Sequence, residues 1–360
     1  MEYKVFCPPD FNEDKYKKMP NVTLKEVTTD GVSPEGFYLT THMPTYYKYN
    51  DNWIIPKSNS LNCVAVLEND TIVIKEIRNL VKGDKVVMGK SRDGQNGVLM
   101  YKEGFSKELY EDNGFSVETS FSEEYELLTD LMKREKENGG HIVWVLGPSV
   151  VFDHDTRVAL VELCENGYVQ ALLGGNAIAT HDLEGGYLGT ALGQNIYTQE
   201  NVPMGHYNHL DLLNAVRRAG SIKKFNDDGH VANGFIKSLT EHNIPIVLAG
   251  SIRDDGPLPE VYRNTEKALS AMQEQLDKAT LVICLATMLH SVASANLASG
   301  YTIRENGDIT PVYMYTIDVT ENVTRKIAAA RELMAVRSII TNVQDFVVNV
   351  QKSLIKKEDK

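Results

Sequence analysis

The sequence predicts an α/β protein: a mostly β N-terminal domain followed by a doubly wound parallel-sheet domain. Residues 1–105 contain short β-branched and aromatic runs broken by Asn, Asp, Gly and Pro, and show little helical periodicity. From residue 123 onward, runs that are apolar throughout alternate with segments of helical periodicity. Such strands are buried on both faces by helices, as in a parallel sheet. We therefore expect domains at 1–105 and 123–360, joined by a polar linker at 106–122.

Local signals justify each element in turn. The first domain has strand-like runs at "EGFYLTTHMPTYYKY", "WIIP", "NCVAVLE", "TIVIKEI" and "DKVVMG". The second opens with "SEEYELLTDLMKREKENGG", a helix with a serine cap, acidic first turn and Gly-Gly stop. Buried strands follow at "HIVWVLG", "YVQALLGG", "IPIVLAG", "TLVICLA" and "PVYMYTID". Helices are predicted near 155–166, 209–219, 230–242 and 259–278, after 288 and from about 321.

Composition limits the classes of function. The formal charge of -12 argues against a nucleic-acid or anionic-membrane surface. No apolar run approaches the ~20 residues of a membrane helix, and no signal segment opens the sequence, so we expect a cytoplasmic protein. The four cysteines are scattered without a C-x-x-C pair, which favours neither a disulfide framework nor a thiolate zinc site.

Ligands of an open parallel sheet bind beyond the carboxyl ends of its strands. Five polar or glycine-rich segments follow the predicted strands and should meet along one rim of the sheet. They are 147–155, 174–186, 250–259, 287–291 and 318–322.

The segment after "YVQALL" is rich in glycine. Glycine at a strand exit lets backbone N–H groups approach a phosphate and admits positive φ. We assign that use to Gly174, Gly175, Gly185, Gly186, Gly189 and Gly193. For Gly185 and Gly186 a simple turn is an equal alternative. Neither G-x-G-x-x-G nor G-x-x-x-x-G-K-[ST] is present, so a dinucleotide site would be a variant one.

Charged residues at two strand exits are candidates for chemistry. In "SIRDDGP", Arg253 could clamp a substrate carboxylate, and Asp254 or Asp255 could handle an amine or act as base. The alternative is an ion pair within a solvated loop, but the position favours function. Asp318 could accept hydrogen bonds from a ribose or cap the following helix. A first-domain lysine such as Lys90 could act as base if buried; exposure is the alternative.

Four histidines are candidate metal ligands. His181, His206, His209 and His290 supply suitable ligand types, but no H-E-x-x-H or C-x-x-C accompanies them. We predict no metal site, and a cofactor contact for His290.

Several motifs together resemble one family, the archaeal-type (alternative) ornithine cyclodeaminases, also described by a conserved region associated with lysine-ketoglutarate reductase/saccharopine dehydrogenase. They are "GPSVVFDHDTR", "GGNAIATHDLE", "GHYNHLDLLN", "SIRDDGPLPEV", "TMLHSVA" and "IDVTE". The N-terminal "GVSPEGFYLTTHMPTYY" and "LVKGDKVVMG" extend the likeness less specifically, and "KSRDGQNGVLM" departs from the family's more regular Gly/Arg/Pro segment. The glycine-rich region is also similar to that of deoxyhypusine synthase.

The resemblance implies a Rossmann-like domain that binds NAD+ and an ammonia lyase that converts L-ornithine to L-proline and ammonia. In that chemistry hydride leaves the substrate α-carbon, the side-chain amine closes a ring on the resulting imine, ammonia leaves, and the cyclic imine is reduced by the same cofactor. One alternative is an NAD-dependent opine- or saccharopine-type dehydrogenase acting on another amino acid. Another is an NAD-binding regulatory or scaffold protein without turnover.

The resemblance also implies which residues hold the cofactor. They are Asn176, Ala177, Asp255, Thr287, Met288, Leu289, His290, Asp318 and Val319, beside Gly174 and Gly175. His181, Asp182 and Glu184 would then face either the substrate or a subunit boundary. We expect a homodimer or homotetramer.

Overall fold

The N-terminal region is mostly β, as predicted. The computed structural model describes residues 4–111, 119, 122–332 and 334–355. After the short helix α1 (Asp14–Lys17), seven strands form two antiparallel sheets, ordered β1-β6-β4-β5 and β3-β2-β7. The strands are β1 (Leu24–Glu26), β2 (Thr45–Tyr49), β3 (Asn52–Ile54), β4 (Val64–Glu68), β5 (Thr71–Lys75), β6 (Lys85–Val87) and β7 (Val98–Met100).

The second region is built on a six-stranded parallel sheet. Its strands and two small hairpins are β8 (Ile142–Leu146), β9 (Ala171–Gly175), β10 (Thr190–Ala191), β11 (Gln194–Asn195), β12 (Ile246–Ala249), β13 (Leu281–Leu285), β14 (Tyr301–Ile303), β15 (Ile309–Pro311), β16 (Tyr313–Asp318) and β17 (Val336–Ile340). The sheet order is β12-β9-β8-β13-β16-β17. The chain starts in the middle, winds to one edge and then to the other, so its direction switches between β8 and β13.

Helices cover both faces of this sheet, which confirms the doubly wound prediction. They are α2 (Glu123–Glu137), α3 (His154–Glu165), α4 (Asn176–Leu188), α5 (Asn208–Ala219), α6 (Ile222–Asp227), α7 (Phe235–Glu241), α8 (Thr265–Leu276), α9 (Met288–Leu297), α10 (Asn322–Ala330) and α11 (Val343–Leu354). On β8, Ile142, Trp144 and Leu146 enter one apolar core, while Val143 and Val145 enter the other. The period of two explains why each strand is apolar throughout.

Three predicted elements have different boundaries. The helix expected at 230–242 begins only at Phe235, and the one at 259–278 begins at Thr265, where Asn264 caps it by accepting from Lys267 N over 2.9 Å. Beyond Asp318 the sequence predicted one helix, whereas the structure has α10, β17 and α11. The run that forms β17 contains Arg337 and comes soon after α10, so the sequence does not predict it as a strand.

The glycine-rich segment at 174–186 was expected to be a loop, and this was wrong. Only Gly174 and Gly175 end a strand; α4 begins immediately at Asn176. Gly185 and Gly186 lie inside α4, where a Cβ on Gly185 would come within 2.8 Å of Arg157 Cζ and one on Gly186 within 2.1 Å of Asn233 O. These glycines permit close packing and make neither a turn nor a phosphate contact.

The two regions pack against each other. His42 donates from Nε2 to Ala295 O over 2.7 Å, and the Tyr301 hydroxyl donates to Pro56 O over 2.8 Å. Of the predicted linker at 106–122, residues 112–118, 120 and 121 lie outside the described residues. The described portion includes a 3-10 helix at Lys107–Tyr110, and the domain boundary at residue 105 stays a prediction. Within the described chain, none of the helices has the length and apolar character needed to cross a bilayer.

Candidate active site

A cleft of about 470 Å³ lies at the carboxyl edge of the parallel sheet. Four of the five predicted exit segments line it, those following β8, β9, β12 and β13. It therefore sits at the switch point between β8 and β13, where doubly wound sheets bind ligands. The loops after these two strands abut: Gly147 N donates to Leu285 O over 2.9 Å, and a Cβ on Gly147 would come within 2.0 Å of Ala286 O.

Two helix N-termini open into the cleft. α4 follows Gly175 and α9 follows Thr287, and neither N-cap residue accepts a hydrogen bond from the first turn through its side chain. The first N–H groups of both helices are thus left for a ligand, and the helix dipoles favour an anion there. A Cβ on Gly175 would come within 3.2 Å of His290 Cε1, so glycine leaves room at this point.

Asn176 and His290 present polar groups to the same space. Asn176 Oδ1 accepts from Leu258 N over 3.0 Å, which leaves its Nδ2 group without a partner among the described residues. His290 Nδ1 lies 3.3 Å from Thr287 Oγ1. Burial lowers the pKa of His290 below its usual 6.5, against a smaller opposing effect of Asp254. The ring is therefore neutral at physiological pH and can accept or donate a hydrogen bond.

The loop after β12 contributes the charged wall. Arg253, Asp254 and Asp255 all line the cleft. Asp254 Oδ2 accepts from Ser251 N over 2.8 Å, and Asp255 Oδ2 lies 3.7 Å from His209 Nε2. Within the described chain Arg253 makes no ion pair, so the alternative of an internal Arg/Asp pair is not realised. The guanidinium is free to meet a substrate anion.

Other predicted cofactor residues lie along the rim but outside the cleft lining. Met288, Leu289 and Val319 are exposed, and Gly174 is buried, where an added Cβ would come within 2.7 Å of Ile178 Cγ2. Asp318 accepts from Thr320 N over 3.1 Å and does not cap α10, whose N-cap is Glu321. Lys90 is exposed and does not line this cleft.

The acidic centre of α4 has an internal role that the sequence analysis did not foresee. Asp182 and Glu184 are fully buried, so neither faces substrate or a subunit boundary. Asp182 pairs with Arg157, and Glu184 accepts from Thr190 and Gly193. His181 alone of the three reaches the cleft.

Sequence reasoning also missed part of the wall. Leu192 and Leu213 add apolar surface and His209 adds an imidazole. His209 lies in the first turn of α5, in "NHLDLLN", but the sequence predicts it only as a candidate metal ligand. Among the described residues, no three His, Cys, Asp or Glu side chains are grouped closely enough to hold a metal ion.

Comparisons with known proteins agree on one relationship. A family described as "Arginine dihydrolase ArgZ-like, C-terminal, Rossmann fold" matches residues 126–349. An ornithine cyclodeaminase of Methanocaldococcus jannaschii is 38% identical over 306 residues, which are 82% of this chain and 71% of that protein.

Two solved structures extend the comparison. A conserved LOR/SDH protein of Methanococcus maripaludis superimposes with a TM-score of 0.80 at 33% identity, covering 93% of this chain and 98% of that one. The ternary complex of AgrE with ornithine and NAD+ gives a TM-score of 0.57 at 29% identity, covering 94% of this chain and 46% of that one.

Proposed function

This chain belongs to the ornithine cyclodeaminase family, and from that membership we propose that it converts L-ornithine to L-proline and ammonia with bound NAD+. One observation carries the proposal. Two open helix N-termini and the side chains of Arg253, Asp254 and Asp255 all line one cleft at the switch point of the sheet. The helix ends suit a dinucleotide and the loop suits an amino acid.

The cleft residues fit NAD+ on three counts. The first N–H groups of α4 and α9 suit the pyrophosphate, and Gly175 allows its close approach. The free Nδ2 group of Asn176 can donate to a ribose or to the nicotinamide amide. Asp318 ends β16, the strand next to β13, and so stands beside the cleft for a ribose hydroxyl. When bound, NAD+ takes a hydride from the substrate α-carbon and returns it within the same turnover.

The charges of the loop after β12 match those of ornithine. The substrate has one carboxylate and two ammonium groups, and the loop offers one guanidinium and two carboxylates. We assign the substrate carboxylate to Arg253 and the amines to Asp254 and Asp255. These three residues hold the substrate α-carbon in the cleft and orient it.

Isotope labelling tests the reaction. In the proposed sequence the side-chain amine closes the ring and the α-nitrogen leaves. We therefore expect L-ornithine labelled with ¹⁵N at the α-position to give labelled ammonia and unlabelled proline in equal amounts, with no lasting NADH absorbance. NADH accumulating in proportion to substrate would instead identify a dehydrogenase of the opine or saccharopine type.

We propose that the protein is a homodimer or homotetramer. The stretch 187–210 carries seven exposed large apolar side chains: Tyr187, Leu188, Leu192, Tyr197, Met204, Tyr207 and Leu210. Large apolar side chains exposed along one segment are typical of a protein–protein interface. A second copy of this chain is the occupant we assign to that surface.

The cellular setting is also part of the proposal. All four cysteines are free in the structure, including the exposed Cys7. Unpaired thiols are typical of a reducing compartment, which supports a cytoplasmic location. There the enzyme would supply proline from ornithine.

A further inference from the structure

His181 and Glu184 form a hydrogen-bonded pair at the wall of the cleft. His181 Nδ1 lies 2.9 Å from Glu184 Oε2, with side-chain exposed fractions of 11% and 0%. The two residues are one turn apart on α4, so the helix itself sets their geometry. Glu184 is enclosed, and His181 lines the cleft.

Glu184 accepts hydrogen bonds from the segment that follows α4. Thr190 Oγ1 donates to Oε1 over 2.7 Å, and Gly193 N lies 3.3 Å from the same oxygen. Thr190 Oγ1 in turn accepts from Asn208 Nδ2 over 2.8 Å, which directs the threonine proton toward Glu184. Both of these groups bond to Oε1, so Oε2 is the oxygen that faces the imidazole of His181.

This arrangement fixes the tautomer of His181. In this histidine–carboxyl pair we assign the ring proton to Nδ1, which donates it to Oε2 over 2.9 Å; the Leu192 N–H, 3.4 Å from Nδ1, is at the limit of a hydrogen bond. The other nitrogen, Nε2, has no partner among the described residues, while the ring lines the cleft. Its lone pair is therefore available to a ligand.

We propose that His181 is a catalytic proton carrier and Glu184 its positioning residue; this inference rests on the proposed function. Once hydride has left the α-carbon, that carbon is part of a protonated imine. Nε2 takes a proton from the side-chain ammonium, and the freed electron pair forms the new bond to the α-carbon while the imine π bond breaks with its pair on the α-nitrogen. The ring nitrogen then releases its extra proton to water, and Nε2 returns its own proton to the α-nitrogen. The lone pair of the ring nitrogen forms the ring C=N bond as the bond to the α-nitrogen breaks and ammonia leaves, so His181 ends as it began.

Two other groups lie near enough to influence this proton transfer. The His209 ring centroid is 6.3 Å from that of His181, and Phe152 packs edge-on at 5.6 Å. His209 faces Asp255 as well. The imidazole is thus held between an aromatic edge and a second imidazole, and Glu184 is the only carboxylate among the described residues that pairs with it.

Substitution of His181 tests the catalytic role. We expect His181→Ala to lower kcat by ~10²–10⁴-fold, with the KM for ornithine and the Kd for NAD+ within about threefold of wild type. Added imidazole should raise the kcat of His181→Ala at least about tenfold, because it can replace the missing base. The matched control is His230→Ala, an exposed histidine outside the cleft, which should change none of these quantities.

Glu184→Gln tests the positioning role. The amide can still accept from Thr190 and Gly193, but its NH₂ would donate to His181 Nδ1 and move the ring proton to Nε2. We expect a loss of kcat comparable to that of His181→Ala, no rescue by imidazole, an altered pH profile of kcat/KM and a nearly unchanged Tm. A purely structural role would lower Tm and leave the pH profile alone.

The outcomes separate the two proposals. Wild-type protein that makes no proline from ornithine would overturn the proposed function and this inference with it. If the wild type is active, two results would overturn the inference alone. One is a His181→Ala variant whose kcat stays within about threefold of wild type; the other is a variant that loses kcat and is not rescued by imidazole.

Discussion

Arg157 donates from Nε to Asp182 Oδ1 over 2.9 Å, and both side chains are enclosed, with exposed fractions of 2% and 0%. Asp182 Oδ2 also accepts from Ile236 N over 2.7 Å. One carboxylate thereby joins α3, α4 and the start of α7. The pair holds the glycine-rich face of α4 against its neighbours and so fixes the helix whose N-terminus opens into the cleft.

Asp182→Asn should lower the free energy of unfolding by about 3–5 kcal/mol, since it leaves the Arg157 guanidinium buried without a counter-charge. Urea denaturation measures the loss. Asp227→Asn is the matched control, because Asp227 pairs with Lys223 at the surface and should cost less than about 1 kcal/mol. A stable Asp182→Asn protein with a raised KM for ornithine would instead place Asp182 at the substrate.

Stability should depend on pH through His42. Burial, with a smaller effect of Arg331, lowers the pKa of His42 from 6.5 to about 3. The unfolded chain therefore binds a proton on this ring more readily than the folded chain does. The free energy of unfolding is unaffected by this group above pH 6.5 and falls as the pH drops toward about 3. From this group alone, the free energy of unfolding should fall by up to about 1.4 kcal/mol per pH unit below pH 6.

Denaturant unfolding at several pH values isolates this effect. His42→Gln should be less stable at neutral pH but show a shallower decline in acid, whereas the exposed His230→Gln should decline in parallel with wild type. Equal slopes for wild type and His42→Gln would contradict the assignment. Because His42 bonds to α9, the same series reports on the contact between the two regions.

Gly175→Ala should weaken NAD+ binding by about tenfold or more. The backbone there has φ -104° and ψ 179°, which alanine adopts without strain, so the fold should be retained. The added Cβ would meet His290 at 3.2 Å and narrow the approach to the α4 N-terminus. Calorimetric titration with NAD+ measures the affinity, and unchanged affinity would remove the α4 N-terminus from the cofactor site.

The apolar stretch 187–210 should mediate self-association. Tyr197→Asp combined with Met204→Asp should dissociate the oligomer, because each adds a charge to apolar surface that is more than half exposed in the single chain. Val32→Asp with Val81→Asp, equally exposed in the N-terminal region, is the control. Light scattering after size exclusion gives the mass. A monomeric wild-type protein would refute the proposal that a second copy of the chain covers this surface.

The sequence predicted the architecture because its signals are local and periodic. Strands such as β8 and β13 are apolar on both faces, and their exits converge by geometry once the sheet is parallel. What it missed depends on tertiary packing. Gly185 and Gly186 read as turn residues because nothing local shows Arg157 lying against them. The burial of Asp182 and Glu184 was hidden for the same reason.

Arg253 is the site residue whose predicted role is most directly testable. Arg253→Ala should raise the KM for ornithine by about 10–100-fold, the loss expected for one charge-assisted contact worth ~1.5–3 kcal/mol, and leave the Kd for NAD+ unchanged. Arg253→Lys should recover only part of the affinity, because a lysine cannot bind a carboxylate with two parallel hydrogen bonds. The exposed Arg263, outside the cleft, provides the control variant Arg263→Ala.

Steady-state kinetics with proline detection separates KM from kcat for these variants. An unchanged KM in Arg253→Ala would remove the residue from the substrate site. A fall in kcat at constant KM would mean that the guanidinium acts only in the transition state, and the substrate carboxylate would need another anchor. We expect a raised KM, because the guanidinium of Arg253 makes no ion pair in the described chain and lines the cleft beside Asp254 and Asp255.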